Sequence, residues 1–144
     1  FRNINTGDTH MAKFNGNNLA ANDLKQLNYL MRDRRTGEIK RIDPNLFVKL
    51  NQLQQRLGLR NAEVVVISGY RSAKTNAKLK LEHHGVASNS FHIRGQAVDI
   101  QFSGIPLVKV KQAAESLSNG GVGYYPRSNF VHVDTGPVRT WRGV

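Results

Sequence analysis

The sequence predicts an α+β domain, because helical patterns come first along the chain and strand patterns dominate later. Apolar residues recur at helical spacing between residues 17 and 58, whereas short β-branched and alternating runs follow from residue 63. A chain of 144 residues is long enough for one sizeable core but too short for a second. We therefore expect a single domain over residues 1–144, with an extended lead-in over about residues 1–16.

The two helices of the first half have clear signals. The apolar residues of the first share one face: Leu24, Leu27, Leu30 and Met31. The second begins at Asp43 as N-cap, has Pro44 in the first helical position and ends at Gly58. Its start and stop signals are the clearest in the chain.

The second half alternates strands and helices. The patterns predict a buried strand over 63–68, a lysine-rich helix over 72–82, a turn-like segment over 83–90, a strand over 97–102, a helix from Pro106, and strands over 122–125 and 130–134. A Pro-Arg-Ser-Asn turn joins the last two strands. We expect a small antiparallel sheet, with helices packed mainly from the N-terminal half.

The charge balance is strongly basic, with 21 Lys and Arg against 10 Asp and Glu and a net charge of +11. This excess favours a polyanionic partner, such as nucleic acid, an anionic membrane surface or a cell-wall polymer. The basic residues are scattered, and no RNA-recognition signature, Cys/His finger or basic zipper accompanies them. Nucleic acid is therefore not the expected partner, and a solvated basic surface is the simplest alternative.

The composition also limits the chemistry. Without cysteine, disulfides, thiolate catalysis and Cys-type zinc sites are excluded, so any metal must be bound by His, Asp, Glu or water. No stretch approaches the run of about 18 apolar residues that a membrane span requires. The N-terminal FRNINTGDTH lacks an apolar targeting segment, so either none existed or the chain begins after its removal.

Two His/Asp pairs stand out. His92 and Asp99 lie in NSFHIRGQAVD, and His132 and Asp134 lie in FVHVD. Because strand side chains alternate between faces, His132 and Asp134 should project to the same side of their strand. If the two predicted strands are neighbours in one sheet, all four side chains can converge.

Two imidazoles and one carboxylate form a three-ligand set for Zn²⁺ that leaves one coordination position open, as in catalytic zinc sites. Such a metal can activate water and stabilise an oxyanion, and a second carboxylate nearby can act as general base. Asp134 is the candidate for that role. An Asp–His pair without metal remains the alternative. Of the other histidines, His10 is interpreted as a surface residue, and His83 and His84 as exposed loop residues. The alternative is that His83 or His84 contacts substrate.

The run from Ser90 to Asp99 matches the pattern S-x-H-x-x-G-x-A-x-D at every fixed position. It resembles the metal-site motif of the zinc D-Ala-D-Ala carboxypeptidase and dipeptidase family, which is related in fold to lysostaphin-type peptidases and the hedgehog signalling domain. The segment SGYRS, residues 68–72, is similar to the family's S-G-Y-R-S segment. The sequence especially resembles the murein endopeptidase K subgroup, whose members cut peptide cross-links in peptidoglycan.

This resemblance implies roles for particular residues. His92, Asp99 and His132 become the zinc ligands. Arg71 becomes the residue that pairs with a substrate carboxylate, which its planar guanidinium suits, although a structural ion pair is the alternative. Ser90 either forms a hydrogen bond near the metal or shapes the turn.

One position departs from the family pattern. Many members have a catalytic Glu or Asp three residues before the second histidine, where this chain has Asn129. An amide cannot act as a base, so the acid/base role passes to Asp134 in our interpretation. The alternative is that Asp134 orients a metal ligand. The aromatic residues Tyr125 and Trp141 are expected to line the substrate groove, although core packing is an alternative for Tyr125.

The sequence therefore predicts a zinc-dependent murein endopeptidase that hydrolyses D-Ala–diaminopimelate or diaminopimelate–diaminopimelate cross-links of peptidoglycan. The alternatives are a D,D-carboxypeptidase acting on stem peptides, a non-catalytic peptidoglycan-binding module, and a nucleic-acid-binding domain whose His and Asp residues are incidental. We expect a monomer without a transmembrane segment. We place it in the bacterial periplasm or cell envelope, exported by an N-terminal signal that is absent from this chain.

Overall fold

The computed structural model describes residues 1–60, 62–82 and 90–144. The helices of these segments are α1 (Ala21–Leu30), α2 (Pro44–Arg56), α3 (Ala73–Glu82) and α4 (Leu107–Leu117). The strands are β1 (Arg2–Asn3), β2 (Phe14–Asn15), β3 (Asn18–Leu19), β4 (Val64–Ser68), β5 (Ala97–Phe102), β6 (Gly121–Tyr125), β7 (Phe130–Asp134) and β8 (Arg139–Arg142). The predicted α+β class is confirmed. Most of the predicted turn over 83–90 lies outside the described residues.

A six-stranded mixed sheet is the centre of the fold, with the order β1-β4-β5-β7-β6-β8. Its four central strands, β4, β5, β7 and β6, pair with one another in antiparallel fashion, as the sequence predicts. Each edge is extended by a strand that pairs in parallel, β1 with β4 and β8 with β6. β2 and β3 form a separate two-stranded sheet. Within the described segments, no helix combines the length and apolarity needed to span a membrane.

The core lies on one face of the sheet, where α1, α2 and α4 supply the facing apolar residues. Strand β5 illustrates the alternation: Val98 and Ile100 are fully buried in this core, whereas Asp99 projects from the opposite face. Burying one such aliphatic side chain stabilises the fold by about 1.5–3 kcal/mol. The helices therefore hold the sheet from one side and leave its other face for the site.

Helix α2 begins as predicted. The Asp43 side chain accepts a hydrogen bond from the Asn45 backbone N–H at 3.0 Å, and Pro44 occupies the first turn. In the middle of the helix, Lys49 lies buried and donates to the backbone oxygen of Asp134 at 3.0 Å. This contact fixes the end of β7, where the site is built.

The two edge strands are not predicted from the sequence. Arg2 and Asn3 form β1 within the segment that we expected to be an extended lead-in. Residues 139–142, which follow the last predicted strand, form β8. These strands have two and four residues and are mostly polar, so they lack the apolar alternation on which strand prediction depends.

Candidate active site

The site is centred on two neighbouring strands. In the register of β5 and β7, Asp99 lies directly opposite His132, and both side chains project from the face that the helices leave uncovered. His132 Nδ1 lies 3.0 Å from Asp99 Oδ1. The two strands are therefore adjacent, which is the condition under which the sequence predicts convergence.

His92 reaches the same carboxylate from the loop that precedes β5. Its Nδ1 lies 2.8 Å from the backbone oxygen of Gly69, which indicates that Nδ1 carries the proton. Its Nε2 lies 3.2 Å from Asp99 Oδ1, yet it is buried without a hydrogen-bond partner. Gly69 needs its small size here, because a Cβ atom would lie 2.7 Å from the backbone oxygen of Met31.

These three side chains fit a divalent metal. One ligand atom from each of His92, Asp99 and His132 lies within 4.8 Å of the other two. The unpartnered Nε2 of His92 is explained if a metal accepts its lone pair. Each imidazole also bonds through its second nitrogen, His92 to a carbonyl and His132 to a carboxylate, as metal-binding histidines commonly do. Two nitrogens and one oxygen suit Zn²⁺, although such donors discriminate poorly among divalent metals.

The protonation of the cluster follows from its burial and its charges. Burial lowers the pKa of His92, and this effect exceeds the attraction of Asp99. Burial also acts to lower the pKa of His132, but the hydrogen bonds with Asp134 and Asp99 outweigh it, so the net shift is upward. The pKa of Asp99 is lowered because the two imidazoles outweigh its desolvation. The carboxylate is therefore ionised and available as a ligand.

Asp134 lies on the same face as His132, as the strand period predicts, and its Oδ2 is 2.7 Å from His132 Nε2. Its carboxylate also accepts hydrogen bonds from the backbone N–H groups of Gly121 and Gly136, and two from the guanidinium of Arg139. The side chain is completely buried. Burial alone would raise the pKa of Asp134, but the bonds from His132 and Arg139 outweigh it and lower the pKa.

This environment favours one of the two interpretations of Asp134. Every partner of its carboxylate is a donor, so the group is held ionised and has little capacity left to take up a proton. The geometry therefore favours the alternative interpretation, in which Asp134 orients His132. Its role as general base stays a prediction.

Asn129, the position that departs from the family pattern, lies in the turn between β6 and β7 with a φ of 62°. Its backbone oxygen accepts a hydrogen bond from Gln101. It lines a small surface cavity of ≈ 310 Å³ near the start of α4 rather than the cleft over the metal ligands. Among the described cleft-lining residues, the carboxylate side chains are those of Asp33 and Asp99. Asp33 accepts a hydrogen bond from the Ser72 N–H, and Asp99 is bonded to His132.

Arg71 follows β4 and lines the cleft. Its backbone N–H donates to the backbone oxygen of His92 at 3.2 Å, which ties it to the metal-ligand loop. The guanidinium is largely buried, its Nε has no hydrogen-bond partner, and no carboxylate among the described residues forms an ion pair with it. A structural ion pair is therefore not seen in these segments, and the cation is available to an anionic ligand.

The opposite wall of the cleft is aromatic. Trp141 lies on β8, with its ring centroid 5.2 Å from that of His132. Its indole N–H donates to the Tyr125 hydroxyl at 2.8 Å. Gly123 is required beneath the indole, because a Cβ atom there would lie 2.6 Å from the ring. Both aromatic residues line the cleft of ≈ 910 Å³, and their contact with substrate stays a prediction.

The remaining predicted residues are also placed. Ser90 lines the cleft, and its hydroxyl accepts a hydrogen bond from the His92 backbone N–H, so it shapes the turn before the ligand. His10 lies away from the cleft, with its Nε2 2.7 Å from Asp23. His83 and His84 lie outside the described residues.

Sequence reasoning missed Arg139. Its guanidinium bonds both oxygens of Asp134 and lies between two rings, 5.0 Å from the Phe91 centroid and 4.9 Å from that of Trp141. The available signal was its spacing of two residues from Trp141, which places both side chains on one face of a strand. Arg139 therefore fixes Asp134, and through it His132.

Comparison with known proteins identifies the class. A family model described as peptidoglycan L,D-endopeptidase MepK matches residues 1–141. A probable peptidoglycan L,D-endopeptidase MepK of Haemophilus influenzae is 59% identical over 145 residues, covering 100% of this chain and 78% of the relative. The peptidoglycan L,D-endopeptidase MepK of Escherichia coli K12 is 49% identical over 140 residues, covering 96% of this chain and 76% of that protein.

The fold, the His/Asp/His cluster and these matches define an M15-type peptidase. Within that class, the chain belongs to the MepK family of peptidoglycan endopeptidases.

Proposed function

We propose that this chain is a zinc-dependent endopeptidase that hydrolyses peptide cross-links of peptidoglycan. The observation that carries the proposal is the convergence of His92, Asp99 and His132 in a cleft, beside the Arg71 guanidinium, which forms no ion pair within the described residues. An open metal site next to a cation that can bind a carboxylate suits hydrolysis of an amide bond close to a carboxylate.

The names of the relatives favour one of the two predicted cross-links. An L,D-endopeptidase hydrolyses a bond between the carboxyl group of an L centre and the amine of a D centre. A diaminopimelate–diaminopimelate cross-link has this configuration, whereas a D-Ala–diaminopimelate cross-link joins two D centres. We therefore propose the diaminopimelate–diaminopimelate bond as the preferred substrate.

The residues of the site have separate tasks in this proposal. His92, Asp99 and His132 hold the zinc ion, which supplies Lewis-acid activation of water and of the scissile carbonyl. Arg71 binds the carboxylate next to the scissile nitrogen and so orients the bond. Asp134 fixes the His132 ring through Nε2, which leaves Nδ1 for the metal.

The charge of the chain supports a location in the bacterial cell envelope, the periplasm in particular. Peptidoglycan stem peptides carry free carboxylates, and a protein with a net charge of +11 is attracted to such a polymer. Because this attraction is electrostatic, it should weaken as the salt concentration rises.

Two purified muropeptide dimers test the proposed activity, one linked through diaminopimelate–diaminopimelate and one through D-Ala–diaminopimelate. We expect the zinc-loaded protein to convert the first dimer to monomers faster than the second, as followed by liquid chromatography. A protein that binds both dimers but cuts neither would instead be a binding module. One that only trims D-Ala from uncross-linked stems would be a carboxypeptidase.

Replacing Arg71 by alanine should chiefly weaken the use of substrate. Loss of one partner of a buried charge pair costs about 2–5 kcal/mol, so we expect kcat/KM to fall by about 30–5000-fold while zinc content is unchanged. Arg71→Lys keeps the charge without the planar fork and should recover only part of the loss. Loss of zinc in Arg71→Ala would show instead that this residue has a structural role.

A further inference from the structure

A second arginine of the cleft also has no carboxylate partner among the residues that the structure describes. The cleft extends from the metal ligands past Arg71 to the edge of the sheet, where Asn5 and Arg34 line it. Asn5 follows β1 and donates from its side chain to the backbone oxygen of Ile67 on β4. From β5 outward, the order is therefore metal ligand, Arg71 and then Arg34.

Arg34 differs from the arginines on either side of it. Arg32 pairs with Asp8 at 2.6 Å, and Arg35 pairs with Glu82 at 3.3 Å. Arg34 is exposed, its Nη1 donates to the neutral side chain of Asn5 at 2.7 Å, and within the described segments it forms no ion pair. Its positive charge thus remains available at the end of the cleft.

The turn that carries Arg34 is held by one buried carboxylate. Asp33 accepts hydrogen bonds from the backbone N–H groups of Arg35 and Thr36, and its other oxygen accepts one from the N–H of Ser72. Burial would raise the pKa of Asp33, but these bonds lower it to about 2, so the carboxylate is ionised near neutrality. Because Ser72 follows Arg71 directly, the Asp33 side chain ties together the segments that carry Arg34 and Arg71.

We propose that Arg34, with Asn5, forms a second carboxylate-binding subsite beyond Arg71. This inference rests on the proposed function and specifies which side of the cross-link is recognised. The diaminopimelate residue that supplies the scissile nitrogen carries one carboxyl group at each of its two centres. Arg71 binds the carboxylate next to the scissile bond, and Arg34 binds the carboxylate at or beyond the far centre.

The dimensions are compatible with this assignment. Neighbouring strands lie about 4.8 Å apart, and the Asn5 side chain that contacts Arg34 follows β1, the neighbour of the β4 strand that leads to Arg71. Three methylene groups separate the two centres of diaminopimelate, which places their α carbons about 5 Å apart at ordinary bond lengths. A terminal D-alanine has a single carboxylate and would leave Arg34 unoccupied. The subsite therefore favours cleavage of cross-links over trimming of stems.

The test compares Arg34→Met with a matched control, Arg60→Met, since Arg60 is an exposed arginine outside the cleft. Each protein is assayed on a diaminopimelate–diaminopimelate dimer of tripeptide stems, and on the same dimer with the far carboxylate of the nitrogen-donating residue amidated. We expect Arg34→Met to lose about tenfold in kcat/KM on the free carboxylate, mainly through KM, and Arg60→Met to match wild type. Amidation of the far carboxylate should lower the kcat/KM of wild type by the same factor of about ten. It should leave the kcat/KM of Arg34→Met unchanged.

Other outcomes overturn the inference. If wild type cuts the dimer and Arg34→Met cuts it equally well, or loses the same factor on both substrates, no carboxylate is bound at Arg34 and the proposed function still stands. A wild type that cuts neither dimer overturns the proposed function and the subsite together. Arg34→Lys provides a second variant, which should retain part of the preference for the free carboxylate. Zinc content and thermal unfolding should match wild type in all three variants.

Discussion

His132→Ala is expected to lose both the bound zinc and at least about 10³-fold in kcat/KM on the diaminopimelate–diaminopimelate dimer, because Lewis-acid activation contributes several kcal/mol to such a reaction. Removing the imidazole leaves two of the three ligands and also takes one hydrogen-bond partner from each of Asp99 and Asp134. His92→Ala and Asp99→Ala should give the same result. Elemental analysis of each purified variant, followed by the dimer assay, measures both effects.

His10→Ala is the matched control for this experiment. His10 is also bonded to a carboxylate, that of Asp23 at 2.7 Å, but it lies away from the cleft. It should therefore keep one zinc per chain and full turnover. Zinc that persists at one ion per chain in His132→Ala would rule out the proposed ligand set.

Asp134→Asn is expected to weaken both stability and metal binding. The carboxylate accepts bonds from donors only, so an amide NH₂ group would face one of these donors and leave it unsatisfied. Disrupting a buried ion pair of this kind lowers the free energy of unfolding by about 3–5 kcal/mol. Loss of the group that orients a metal-binding histidine typically costs 10–100-fold in metal affinity. Urea unfolding and competition with a chelator measure these two quantities.

The same variant separates the two interpretations of Asp134. If Asp134 positions His132, excess zinc should restore much of the turnover. If Asp134 is the general base, zinc affinity should stay near wild type while turnover is lost at every zinc concentration. Asp23→Asn removes a carboxylate bonded to a histidine at the same distance of 2.7 Å in a more exposed place, and should cost less than about 1 kcal/mol.

Local patterns predict much of the fold. The N-cap and the proline at the start of α2 are recognisable in the sequence itself. The predicted bounds of β5 and β7 agree with the structure because the apolar residues of these strands alternate. Strand β1 is not predicted because it consists of Arg2 and Asn3, which join the sheet through backbone pairing with β4. Such pairing depends on residues more than 60 positions away and has no local signature.

The candidate site is also predictable only in part. The strand period places His132 and Asp134 on one face, and the structure confirms this with a 2.7 Å contact. That the Asp134 carboxylate already accepts several hydrogen bonds is not predictable from the sequence. Its other donors come from Arg139 on β8 and from two backbone N–H groups. Sequence spacing indicates which side chains share a face of a strand. Whether such a side chain can still take up a proton depends on its contacts with distant segments.

The pairing of Asp99 opposite His132 has a consequence for folding. A slip of one residue between β5 and β7 would turn the side chains of one strand to the opposite face and bury its charges among the helices. Only the correctly registered sheet brings Asp99 and His132 together, so a metal held by both side chains would favour the native pairing over the misaligned one. During folding, metal binding would therefore stabilise the native strand register and shift the population of molecules toward it.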